Sequence, residues 1–155
     1  MFHWVKAFKA RRAFPRVSKT IISVVDEHIA RSIVAPRERY LADFRQTFEE
    51  ILADPQAGLT EASDIVAEQR LHDFVSEYME DFGCEVALPI EEEVWSLLMS
   101  RWGDIIRHSE SGVKELTRYI KLQMEIKRVD IEGRALTIAE DLLEEAQHRM
   151  KSAAK

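Results

Sequence analysis

Glu145 and His148 stand three residues apart in Glu145-Ala146-Gln147-His148, a spacing that puts both side chains on one face of a helix. A carboxylate and an imidazole so placed form part of a di-metal carboxylate site. Such a site needs a second Glu-x-x-His and two further glutamates. The chain has no second copy, so only a homodimer could double the motif. A solvated polar face is the simpler reading, and no metal is expected. His3, His28, His72 and His108 are scattered, with no His-x-x-x-His pair. Cys84 is the single thiol. It falls in a short run read as a buried strand, where cysteine behaves as a small apolar residue and not as a nucleophile. Glu91, Glu92 and Glu93 load the start of an expected helix, where carboxylates favour the positive end of the dipole. The five glycines are isolated, so no Gly-rich cradle for nucleotide phosphates is present. No cofactor and no enzymatic reaction are expected.

The second chemical signal is charge. Of the 22 bases, 6 precede Asp26, the first acid; the remaining 16 face all 28 acids, a net −12 behind a basic start. Lys6, Lys9, Arg11, Arg12, Arg16 and Lys19 are interleaved with Phe2, Trp4, Phe8 and Phe14. Such a segment, residues 1–17, reads as a docking arm. Its cations and rings could meet phosphates and bases, anionic lipid, or the acidic body of a neighbouring subunit. Aromatic and basic residues share one side of a helical wheel, which argues against a membrane-surface helix.

These groups need elements to hold them. At 155 residues the chain suits one domain. Its longest apolar runs are far short of a membrane span. A lone cysteine excludes an internal disulfide and a cysteine-based zinc site, and points to a reducing, cytoplasmic setting. No secretory signal is visible. Nine Pro and Gly residues separate runs of helix-spaced apolar residues. Ile21, Ile22, Val25, Ile29 and Ile33 form one stripe. Tyr40, Leu41, Phe44, Phe48, Ile51 and Leu52 form the next, and Leu71, Phe74, Val75, Tyr78, Met79 and Phe82 a third. Val94, Trp95, Leu98 and Trp102 follow up to Gly103, then Val113, Leu116, Ile120 and Met124. Thr137-Ile138-Ala139-Glu140 has the form of a capping box, starting a last helix that buries Leu142, Leu143, Ala146 and Met150. The expected fold is therefore mainly α. Six to seven helices form one domain over residues 18–150, with a possible two-stranded ribbon of 84–88 and 134–137 and a tail at 151–155. Trp95, Trp102, Phe44, Phe48, Phe74 and Phe82 are expected in the core.

From 71 to 147 the order would be helix, strand, two helices, strand, helix. The residues Gly83-Cys84-Glu85-Val86-Ala87-Leu88 and Pro89-Ile90-Glu91-Glu92-Glu93-Val94 open this stretch. Ser111-Gly112-Val113-Lys114-Glu115-Leu116-Thr117-Arg118 and Leu136-Thr137-Ile138-Ala139-Glu140-Asp141-Leu142 continue it. Together they resemble the small helical lid subdomain of Clp/Lon-type AAA+ ATPases. In that family a Gly-Val-Arg-like turn presents an arginine to the nucleotide phosphates. The resemblance puts Lys114 in that place, as a point cation without arginine's bidentate fork. Since the chain carries no Walker motif, the resemblance implies a detached lid or a fragment of an ATP-dependent protease or unfoldase.

The leading expectation is a non-enzymatic protein-interaction or assembly module that binds a protein partner or itself, with the arm contributing to docking. The alternatives are the AAA+ lid and a nucleic-acid-binding regulator.

Overall fold

The computed structural model describes residues 2–153, the side chains at 2–4, 6–8, 10 and 11 lying outside the described set. Its α-helices are α1 (Phe2–Ser32), α2 (Val34–Ala53), α3 (Asp64–Tyr78), α4 (Leu88–Arg107) and α5 (Glu110–Ala153). Short 3₁₀ turns at Pro55–Ala57 and Met79–Asp81 and a π turn at Gly83–Ala87 complete the described chain.

The expected six to seven helices and the ribbon are corrected by this architecture. Among the described residues there is no strand. Residues 84–88 wind helically, burying Val86 and Ala87 and continuing through buried Ile90 and Val94. Residues 134–137 lie in the interior of α5. There the Thr137 hydroxyl donates to the Gly133 carbonyl at 3.1 Å, a bond one turn back within the helix and not a cap. The expected helix start at Thr137 is thus absent because the apolar stripe does not stop: Ile131 and Ala135 are buried ahead of Ala139.

Pro15, Gly103 and Gly133 fall inside helices and not between them. Pro36 and Pro89 sit in the first turns of α2 and α4, where the missing N–H has no helical acceptor in any case. Pro15 lies inside α1, flanked by buried Phe14 and Ile21. Gly103 falls one residue after Trp102, whose φ of −131° and ψ of 27° break the helical geometry of α4 without ending it. The Asp54–Ser63 connection, like the helix starts at Pro36 and Pro89, behaves as the sequence suggests. Asp54 caps the Gln56 N–H at 3.0 Å, and Gly58 takes a left-handed φ of 63° that disfavours any side chain.

The chain forms two compact units. The first comprises Met1–Val34 and Gly83–Ile126. Phe14, Ile21, Val25 and Ile29 of α1 share its core with Val94, Leu98 and Ile106 of α4 and Leu116, Ile120 and Met124 of α5. Ser109 Oγ accepts the Gly112 N–H at 3.3 Å, capping α5 two residues before the expected start at Ser111. His28 meets Glu93 at 3.3 Å between α1 and α4.

The second unit comprises Ala35–Phe82 and Lys127–Lys155. Its centre is aromatic. Phe44 lies with ring centroids 5.9 Å from Phe48, 5.8 Å from Phe74 and 5.1 Å from Tyr78. The Tyr40 hydroxyl stands 2.7 Å from the Tyr78 carbonyl and 2.6 Å from an Asp81 carboxylate oxygen, joining α2 to the end of α3. Phe44, Phe48 and Phe82 are buried as expected, whereas Phe74, and in the first unit Trp95 and Trp102, are half-buried.

Candidate interaction surfaces

Two helix faces carry the surface chemistry. On α1, Lys9, Arg12, Arg16 and Lys19 are all exposed, and steps of three, four and three residues place them on one side. Buried Phe14 and Ile21 occupy the opposite side. The first turn of α1 has no acid to offset this charge. The remaining arm side chains, Phe2, Trp4, Lys6, Phe8 and Arg11, lie outside the described residues.

The second face is on α5 and was not legible as a site in the sequence. Leu122, Ile126 and Val129 are 54%, 51% and 55% exposed. Their spacing of four and three residues puts them on one stripe, away from buried Leu116, Ile120, Met124 and Ile131. The signal was present as a second apolar periodicity. It is masked because a helix greasy on two sides shows little contrast between faces. Ile65 and Val66 on the first turn of α3 are also exposed, at 82% and 41%.

Within the first unit Tyr119 of α5 donates to an Asp26 carboxylate oxygen of α1 at 2.5 Å. Partial burial, then the neighbouring carboxylate, hold the Tyr119 phenol protonated, with its pKa pushed up to about 12. Tyr78 is raised as well, first by burial and then by Asp43 and Asp81.

The other residues singled out by sequence do not converge. Cys84 is exposed, a correction that follows from the helical winding of its turn, which points Val86 and Ala87 inward instead. Glu145 and His148 are both exposed on α5, and Arg149 holds Glu145 at 3.6 Å. Among the described residues no three His, Cys, Asp or Glu side chains gather at metal-binding distance. Lys114 stands exposed one turn into α5, 3.7 Å from Glu110. Val113 and Met150, expected to be buried, are exposed at 36% and 43%. A shallow hollow of about 190 Å³ between α3 and α5 is rimmed by Asp64, Glu68, Glu140 and Glu144 over Ala67, Leu71 and Leu143. Among the described residues no helix is long and apolar enough to cross a membrane.

Fold and surface together define an all-helical protein with one basic and one apolar helix face turned outward. No family model matches the chain, and no curated protein or solved structure compared with it matches significantly.

Proposed function

We propose that this chain acts by contact, as a protein-interaction or assembly module, and that the α5 stripe is its principal docking surface. The observation that carries this reading is the half-exposure of Leu122, Ile126 and Val129 on consecutive turns. Covering them recovers about 1 kcal/mol for each side chain, roughly half the full burial of an aliphatic residue. Apolar side chains uncovered on consecutive turns of one helix are suited to contact with another apolar surface. The test is a photo-crosslinking residue placed at position 126 in cells that express the protein. Crosslinks to a defined protein surface support the reading. Yields no higher than from the exposed polar position Glu115 remove it.

A second reading rests on the α1 face. Lys9, Arg12, Arg16 and Lys19 are spaced to follow a polyanion, and with the aromatic residues of the arm they suit a nucleic acid. Binding to generic DNA or RNA should then weaken steeply with salt and disappear when the exposed Lys9, Arg16 and Lys19 are changed to Glu. Salt-independent or absent binding excludes it.

A further inference from the structure

Cations on the first half of α1 stand apart in how they are neutralised. Arg45, Lys114 and Arg134 each hold a carboxylate one helical turn away: Glu49 at 3.3 Å, Glu110 at 3.7 Å and Asp130 at 3.1 Å. No acid precedes Asp26, so none lies within a turn of Lys9, Arg12, Arg16 or Lys19. Among the described residues no carboxylate from another helix pairs with Lys9, Arg16 or Lys19. Like charges one turn apart weaken a helix, and this stripe stacks them at three successive steps. From Asp26 onward 28 acids face 16 bases, so a polyanion is repelled by the rest of the chain and drawn to this face.

The stripe has the dimensions of one strand. From Lys9 to Lys19 the helix rises about 15 Å. A nucleic-acid strand presents about four phosphates over that length, one for each cation. Of the described residues from 9 to 23, the other exposed ones are Pro15, Thr20 and Ser23. They offer no Asn, Gln or aromatic side chain to read a base edge or stack on a base.

We infer that this face recognises the phosphate chain itself, about four consecutive phosphates of one strand, and reads no base. The inference rests on the nucleic-acid reading of α1 and names what that site takes. Arg12 and Arg16, in the middle, fork onto phosphate oxygens, and Lys9 and Lys19 act as point charges at the ends. Inorganic polyphosphate carries the same chemistry and competes for the same stripe.

Fluorescence anisotropy on the full chain tests this with two short labelled DNA duplexes of unrelated sequence. Both should bind within about twofold of each other, since phosphate contacts carry no sequence information. The slope of log K against log salt should be about −3 to −4, about 0.9 for each phosphate neutralised. Unlabelled inorganic polyphosphate should displace both duplexes. Lys19→Ala should make the slope shallower by about one, whereas Arg134→Ala, which removes a cation already paired, should leave it unchanged. Circular dichroism should show both variants as helical as the wild type.

A preference between the duplexes above about tenfold, or failure of polyphosphate to compete, overturns the inference and leaves the nucleic-acid reading standing. Equal responses to Lys19→Ala and Arg134→Ala overturn both, because the contact then lies elsewhere. Binding to polyphosphate without DNA overturns the nucleic-acid reading and identifies the free chain as the ligand. Capture by phosphatidylserine vesicles with no binding to DNA or polyphosphate removes both.

Discussion

Phe14 of α1 lies so close to Gly112 of α5 that a Cβ on the glycine would stand 2.8 Å from the ring's Cε2 and 2.9 Å from Ser109 Oγ. The glycine is there for space, and α1 is fastened at Phe14 to the start of α5 through it. Gly112→Ala must push the ring or the capping serine aside. We expect a loss of about 1–3 kcal/mol, read as a lowered midpoint in denaturant. Ser109→Ala removes the hydroxyl that accepts the Gly112 N–H and should cost about 1 kcal/mol.

Gly133 behaves oppositely. It lies inside α5, is exposed, and has nothing within 4 Å of where a Cβ would be. Gly133→Ala should raise stability by about 1 kcal/mol, since it relieves the helix of glycine's backbone entropy at no steric cost. A thermal melt that fails to rise, or falls, would show that α5 does not run unbroken through this position.

The Phe44 ring is fully buried against Phe48, Phe74 and Tyr78. Phe44→Ala should cost about 3–5 kcal/mol by equilibrium unfolding. Leu122→Ala, on the outward face of α5, should change the stability of the monomer by less than about 0.5 kcal/mol. The contrast separates the residues that hold the fold from those on the exposed face of α5.

Alkaline pH offers a fourth probe. The folded state keeps Tyr119 protonated to about pH 12, above the ordinary tyrosine value of 10.0. Its contribution to stability is complete below pH 10 and is lost as pH rises from there through about 12, because the unfolded chain then releases a proton that the folded chain retains. Tyr78, raised in the same direction, adds to the loss. Tyr119→Phe should cost about 0.5–1.5 kcal/mol at neutral pH and make stability fall less steeply between pH 10 and 12. Absorbance titration of the folded protein should show one tyrosinate transition fewer in this variant, the missing one lying near pH 12.

The apolar stripes of the single helices were legible from spacing alone. Ile21, Val25, Ile29, Phe44, Phe48, Leu71, Val75, Val94, Leu98, Leu116 and Ile120 are buried as their periodicity implies. Helix ends were less legible, because the signs that mark them are weak. A glycine costs a helix about 1 kcal/mol, less than the burial of a neighbouring aliphatic side chain contributes. So α5 passes through Gly133 on the strength of Ile131 and Ala135. A threonine with a glutamate three residues on makes a cap only if the chain before it leaves the helix, and here it does not.

Composition and periodicity therefore determined, without coordinates, that the chain is helical and which apolar residues of α1 to α4 mostly face inward, since both follow from local spacing and the cost of exposing apolar surface. Packing decided how many helices there are, that Gly112 must be small, that Cys84 faces solvent, and that Leu122, Ile126 and Val129 go uncovered. Each of those depends on which faces find a partner elsewhere in the chain, a long-range outcome that no window of neighbouring residues contains.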